Sequence, residues 1–451
     1  MKTIKYLIAV TALATTLGPV VNVHAGPGQS RLAEARLQEA NEALLAAARS
    51  GNLNGAIKAV GIGANVNVTD QDGQTSLFLA SQNGHAKIVA MLLEAKAEVD
   101  KDRYYHGQTA LLMASQNDHT EIVAMLLGAK AEVDKARRRS DATPLLLASQ
   151  NGHTEIARML VEANAKIDKA SKDGVTPLGV ASNKGYTGIV AMLLEAQADV
   201  DQDKYYGQTS LFMASRNGHT EIVAMLLGAK AEVDKSRRSD STPLLMASQN
   251  GHTEIARMLL EANAKVDKAS NCGETPLIGA SQNGHTEIAT MLLEAKAEVN
   301  KPDQCDATPL LMASQNGHTE IAIMLLGAKA EVNKANHRGE NPLSLAIKEG
   351  HTETAKILVF SGAIPSGREP REMRPIIEQA QEARKELLQA VAEQEQLKRG
   401  LKSLPSFPVA AVHALCCDYA APYCQDPFLQ QVVDLVRIKH DQKPDAVCVV
   451  Q

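Results

Sequence analysis

The nonapeptide ASQNGHTEI stands four times in this chain without a change, starting at Ala148, Ala247, Ala280 and Ala313. A stretch copied at a fixed distance constrains the architecture more than any single residue does, because each copy must fill an equivalent layer. The threonines that precede the apolar runs set the period. Thr75, Thr109, Thr143, Thr176, Thr209, Thr242, Thr275 and Thr308 follow one another at 34, 34 and then 33 residues, and Asn341 takes the same place in the last copy. Counting back 33 from Leu77, Ala80 and Gly84 reaches Leu44, Ala47 and Gly51, an earlier and degenerate copy. Ten units result, between about Asn41 and Ala363.

Each unit parses in the same way. The Thr143 hydroxyl can cap a helix, and Pro144 suits the first helical position, where its missing N–H has no partner to lose. LLLASQ makes a short helix that Asn151-Gly152 ends, glycine supplying the backbone freedom for a tight turn. HTEIARMLVEA reads as a second helix with Ile156, Met159, Leu160 and Ala163 on one face. Glu155 in its first turn opposes the helix dipole favourably. An extended stretch, AKIDKASKDGVT, leads into the next unit. Neither helix can bury its apolar face alone, so neighbouring units must stack. Aromatic residues make up only 3% of the chain and Trp is absent, which suits a core of thin aliphatic layers.

The period, and TPL followed by Ala, resemble the ankyrin-repeat family over about 320 residues. The resemblance implies an all-α solenoid of helix pairs with projecting hairpin fingers, followed here by a C-terminal helical segment, and it implies protein partners. Two departures from the family pattern stand out. Its His after TPL is Leu146, Leu245 or Leu311 here, and Phe78 or Phe212 in two units. Its Gly after the second helix is Lys96, Lys130, Asn164, Gln197, Lys230, Asn263, Lys296 or Lys329, only Gly63 and Gly362 keeping it. A left-handed Lys costs about 1 kcal/mol or more relative to Gly, which gives those helix ends a reason to take another conformation.

His-Thr-Glu could in principle hold a metal and shuttle a proton. A zinc deaminase would pair one His-x-Glu with Pro-Cys-x-x-Cys, and APYCQDP does not match that. His153, His252, His285 and His318 are stamped onto layer after layer, whereas a catalytic site is needed once. The motif reads as scaffold, with no catalytic residue, metal or cofactor assigned.

If specificity lies on the finger tips and the first-helix face, as in the family, the tips are where the units differ. DRYYHG places Tyr104 and Tyr105 on one tip and ARRRSD places Arg137, Arg138 and Arg139 on the next. A hundred residues on, DKYYG and SRRSD repeat the pattern with Tyr205, Tyr206, Arg237 and Arg238. Tyr and Arg are enriched at binding hot spots, so these eight residues (Tyr104, Tyr105, Arg138, Arg139, Tyr205, Tyr206, Arg237 and Arg238) are the candidate partner-binding set. A recent duplication that copied the tips with everything else would leave the same pattern. Net charge is −5 with no long basic stretch, which argues against nucleic acid as the main partner. Cys272 and Cys305 fall on adjacent tips. Helical layers lie ~8–10 Å apart, too far for an unstrained disulfide, so both read as free thiols.

The ends carry targeting signals. MKTIKY, the apolar run LIAVTALATTLGPVV and VHA before Gly26 read as a signal peptide over residues 1–25, which predicts a periplasmic or secreted protein. Residues 26–363 form the solenoid. Residues 364–404 hold a linker and an amphipathic helix opened by Pro375, with Ile376, Ala380, Ala383, Leu387, Ala390, Gln394 and Leu397 in heptad register, suited to capping the last repeat. Residues 405–451 read as a small helical tail. His413, Cys416, Cys417 and Cys424 there lack the paired spacing of a zinc site. The last four residues, CVVQ, match a prenylation box that would lipidate Cys448 in a eukaryotic cytosol. Export and prenylation together resemble the ankyrin-repeat effectors of intracellular bacteria. Two functional classes follow: a non-enzymatic scaffold that binds protein partners, or a substrate-selecting adaptor or enzyme whose activity lies in residues 364–451.

Overall fold

The computed structural model describes residues 27–101, 107–202, 208–235, 241–365, 371, 373–382, 384–385 and 388–389. Ten helix pairs follow one another along these residues. We call the two helices of a pair A and B. The first A helix, Pro27–Ser50, is far longer than the rest and begins well before the degenerate copy at Asn41. The later pairs are short and alike, for example Pro144–Asn151 with Thr154–Glu162 and Pro276–Asn283 with Thr286–Glu294. Among the described residues no strand forms, and one isolated bridge joins Thr69 to Thr75.

The helices start where the sequence places their caps. The Thr143 hydroxyl accepts the Leu146 N–H at 3.2 Å, and Thr75, Thr176, Thr242, Thr275 and Thr308 do the same in their own units. Asn341 and Ser344 extend this to a reciprocal capping box in the last repeat. Each such cap contributes roughly 1 kcal/mol, which matters for helices of only two turns.

The fold divides into two compact units. One comprises the described residues up to Ala214 with Glu221–Ala231; the other comprises Ser215–Thr220 with the described residues from Glu232 onward. Within the first, the A helices of the first five pairs stack on one another and the B helices form a parallel second row. Within the second, the four A helices from Pro243–Asn250 to Pro342–Lys348 stack likewise, with their B helices in their own row. Buried Leu and Ile fill each layer: Leu145, Leu146 and Leu147 in one A helix, Leu277 and Ile278 in another. Each fully buried side chain of this kind contributes roughly 1.5–3 kcal/mol. On the B helix at Thr154–Glu162 the buried face is Ile156, Ala157 and Leu160. Met159 and Ala163 are only half-buried, so the stripe is shifted towards Ala157 from the one read in the sequence.

The helix after the last repeat starts at Arg374, one residue before Pro375, and is described at 374–382, 384–385 and 388–389. Met373, just before it, and its own Ile377 and Ala380 are buried. Arg384 lies over Gly362, where an added Cβ would stand 2.8 Å from its Nη2. The segment therefore packs at the end of the last repeat. Its inward register runs through Ile377, while Ile376 is half-buried, because Met373 supplies the apolar residue one turn earlier.

Candidate partner-binding surface

The polar residues that recur in every unit are spent on joining one repeat to the next. His285 Nε2 donates to the carbonyl of Gln249 in the preceding repeat at 3.1 Å. His119 reaches Gln82, His153 reaches Gln116, His252 reaches Arg216, His318 reaches Gln282 and His351 reaches Gln315, at 3.0–3.1 Å. A carbonyl can only accept, so the hydrogen on Nε2 is assigned from this partner. The imidazole of His285 lies flat over Gly251, where a Cβ would fall 2.5 Å from the ring. His-Thr-Glu is a joint: the histidine closes on the previous layer, and Glu287 stands exposed in the first turn of its helix.

Two variants of this joint occur. In one, Asp118 replaces the glycine at φ 63°, and its carboxylate stands 3.5 Å from Nδ1 of His153. In the other, Tyr186 takes the histidine's place and lays its ring over Gly152.

A second join went unread in the sequence. Asp267 accepts the Glu298 N–H of the next repeat at 3.0 Å, and Lys268 sends its ammonium back to the carbonyl of Asp234. Asp134 accepts from Lys166, Asn300 from Glu331 and Asn333 from Ile364 in the same way. The Asp/Asn-Lys dipeptide at the end of nearly every unit was the available signal. Burial raises the Asp100 and Asp267 carboxyls above the usual carboxylate range, outweighing the N–H bonds they accept from Glu132 and Glu298.

The B-helix ends correct the expectation set by the missing glycines. Lys96, Lys130, Asn164, Gln197, Lys230, Asn263, Lys296 and Lys329 all lie in the left-handed region, at φ 62–70°. Two hydrogen bonds hold each turn, as where Lys296 N–H reaches Leu293 and Ala297 N–H reaches Leu292, both at 2.9–3.0 Å. This double closure favours a left-handed residue whatever its side chain.

The described fingers are tight turns, each closed by a backbone bond from its first residue across the turn. Ser171 N–H meets the Val175 carbonyl, Ser270 meets Glu274, Asp303 meets Ala307 and Asn336 meets Glu340, each four residues on. In the arginine tip the bond runs five residues on, from Arg137 N–H to the Ala142 carbonyl, with Asp141 at φ 53°. The extra residue of this 34-residue unit is thus absorbed at the tip.

Arg137 is half-buried and donates through Nη2 to Gln116 Oε1 at 2.8 Å; burial lowers its guanidinium from the usual arginine range. Arg138 and Arg139 are exposed, as the sequence reading requires of a contact pair. The Arg138 stem packs on Gly107, where a Cβ would stand 2.5 Å from its Cγ, and Lys172 Nζ binds the Arg138 carbonyl at 2.9 Å. Tyr104, Tyr105, Tyr205, Tyr206, Arg237, Arg238 and Cys448 lie outside the described residues. Cys272 and Cys305 are exposed and unbridged. Their tips touch through backbone, Gln304 N–H donating to the Cys272 carbonyl and His337 N–H to that of Cys305. Among the described residues no group of three His, Cys, Asp or Glu could hold a metal ion, and no helix is long and apolar enough to cross a membrane.

Comparison with known proteins agrees with this geometry. The family model described as ankyrin repeats (3 copies) matches residues 44–139, 131–204, 211–303 and 295–368. The chain is also similar to ankyrin repeat-containing protein YIL001W of Saccharomyces cerevisiae, 38% identical over 63 residues, which is 14% of this chain and 12% of the yeast protein. The chain thus spans about an eighth of the length of the curated relative it matches. Repeats of this kind generally mediate protein–protein interaction and typically serve as scaffolds. With paired helices in register and a family match across well over half its length, this chain belongs to the ankyrin-repeat family.

Proposed function

We propose that this protein is a non-enzymatic, exported scaffold that holds protein partners on its finger tips. One observation carries the reading. The recurring Thr, His, Asp and Lys are consumed in caps and inter-repeat bonds, while Arg138 and Arg139 stand exposed on a tip whose backbone is pinned by Arg137 and Lys172. Pinned, exposed Arg loses less freedom on binding than a loose one, which favours its use as a contact residue.

The test is capture of partners by residues 26–451 and by two variants, Arg138→Ala with Arg139→Ala and Tyr104→Ala with Tyr105→Ala. Loss of the same partners at an unchanged melting temperature supports the reading. Capture that survives both pairs removes the tips from the function. Residues 26–363 alone separate this scaffold from an adaptor or enzyme acting through residues 364–451, since a scaffold's repeats keep the partners without the tail.

The host-directed form of the proposal rests on the N-terminal export signal and on Cys448 in CVVQ. One prenyl chain anchors only marginally, so a second signal is needed. Arg437, Lys439 and Lys443 would supply basic charge near the box, and Cys416 or Cys417 would be the position for a second acyl chain. In animal cells, tagged residues 26–451 would partition to membranes, and Cys448→Ser would turn the distribution diffuse. Identical diffuse patterns would leave a periplasmic or secreted scaffold.

A further inference from the structure

We infer that the tip at Arg137–Asp141, with its neighbour at Ser171–Gly174, is an acceptor for a carboxylate-rich segment of a partner protein. The inference rests on the scaffold reading above and adds the partner's chemistry to it. Four cations, Arg137, Arg138, Arg139 and Lys172, meet two carboxylates, Asp141 and Asp173, on these two tips. Arg138, Arg139, Lys172 and Asp173 are exposed, while Asp141 is half-buried in its left-handed turn. The exposed groups therefore present three positive charges against one negative.

The tip is built rather than loose. Arg137 is drawn down onto Gln116 Oε1. Arg138 leans its stem on Gly107, a position where any larger residue would displace it. The Lys172 ammonium and backbone N–H bind the carbonyls of Arg138 and Ser140, joining the two tips. Adjacent guanidinium forks held this way match carboxylates, which they can bind bidentately.

The other described tips lack this surplus. The finger at Asp70–Gln74 carries Asp70 and Asp72, and the one at Asp303–Ala307 carries Asp303 and Asp306. Among the described tips only the arginine tip is basic enough to select an acidic partner, and the same pair of residues recurs in sequence at Arg237 and Arg238.

The probe is a fluorescein-labelled deca-glutamate peptide titrated with the full chain, read by anisotropy. Because the tip is duplicated in sequence, the variant carries Arg138→Ala, Arg139→Ala, Arg237→Ala and Arg238→Ala together. Binding that weakens about tenfold in this variant, at an unchanged melting temperature, and that also weakens with added salt supports the inference. The four Arg→Lys exchanges should keep the salt dependence and lose part of the affinity, because charge survives while the fork does not. Equal binding by the alanine variant, no binding by the native chain, or tighter binding of a single-stranded decanucleotide than of the peptide would each overturn it. The capture experiment above is scored separately. Partners lost with Arg138→Ala and Arg139→Ala, but not competed by deca-glutamate, would refute the acidic partner while leaving the scaffold reading intact.

Discussion

Between its two helices each repeat passes through a left-handed residue that is glycine everywhere but at Asp118, and after its second helix through another that is glycine only at Gly63 and Gly362. The first-turn glycines sit at φ 73–81° and the non-glycine residues of the second turn at φ 62–70°, so both turns carry a left-handed cost. Space differs. At Gly251 or Gly284 an added Cβ would fall 2.5 or 2.6 Å from the imidazole of the following repeat, whereas at Gly63 nothing lies within 4 Å. Where the next repeat's histidine lies over it the first turn is crowded, although Asp118 keeps a side chain there and Gly350 has nothing within 4 Å. The second is open at Gly63, where only the intrinsic left-handed cost of roughly 1–2 kcal/mol per residue applies, while at Gly362 it lies under Arg384. At Gly251 and Gly284 both constraints, a left-handed backbone and a neighbouring ring, fall on one residue.

Filling the crowded turn should give the largest effect. Gly251→Ala forces both the left-handed cost and displacement of His285 from the Gln249 carbonyl, about 2–3 kcal/mol together. In a double-mutant cycle His285→Ala should recover part of that loss, because the ring is what the new methyl meets. Strictly additive denaturation energies would show that the joint does not set the glycine. His285→Ala alone should cost about 1 kcal/mol, the net worth of one hydrogen bond.

At the second turn the sign reverses. Lys296→Gly should stabilise by about 1 kcal/mol, and the same exchange at Lys96 and Lys130 should add to it, since the sites are well separated. Thermal melting checks this. A loss of stability on Lys296→Gly would mean that the lysine side chain, not the turn's two hydrogen bonds, holds that end.

A smaller gain should come from the A helices, where Ser81, Ser115, Ser149, Ser182, Ser248 and Ser281 bury a hydroxyl with no partner among the described residues. Ser314 differs, donating to the Leu310 carbonyl at 2.6 Å. Ser248→Ala should therefore be neutral or stabilising by up to ~1 kcal/mol, and Ser314→Ala destabilising by a similar amount. Parallel urea titrations distinguish the two.

The smallest effect concerns the inter-repeat carboxylates, and its sign depends on pH. The folded-state pKa of Asp267 is raised by burial. Its contribution is therefore fully present below the unfolded carboxylate range and is lost as pH rises through the raised folded value. Asp267→Asn removes that loss while keeping the acceptor, as Asn300 does towards Glu331. The variant should melt above the native protein at neutral pH, and the gap should close on acidification below the carboxylate range. A gap that widens in acid would reverse the assignment.

Most of the fold was legible because it is local and repeated. Thr143 and Pro144 open a helix by chemistry contained within four residues, Gly152 ends it, and the spacing of the threonines counts the layers. The candidate surface was legible only in part. Arg138 and Arg139 read correctly as exposed, but nothing in ARRRSD shows that Arg137 turns back to Gln116, a residue 21 positions earlier. The Asp/Asn-Lys pairs were visible and unread because a polar dipeptide in a loop has no partner until the neighbouring repeat is in place.

The sequence by itself determined the period, the helix pairs, their caps and the family, since each depends on contacts within one repeat or on the recurrence of one motif. The tertiary structure alone decided which left-handed glycines lie under a neighbouring ring, where His285 donates, and how Asp267 and Lys268 tie neighbouring repeats together. Those outcomes depend on atoms about one repeat away in sequence but within hydrogen-bond or van der Waals reach in space. In a repeating chain the same residues recur on every layer, and only stacking determines which neighbour each one meets.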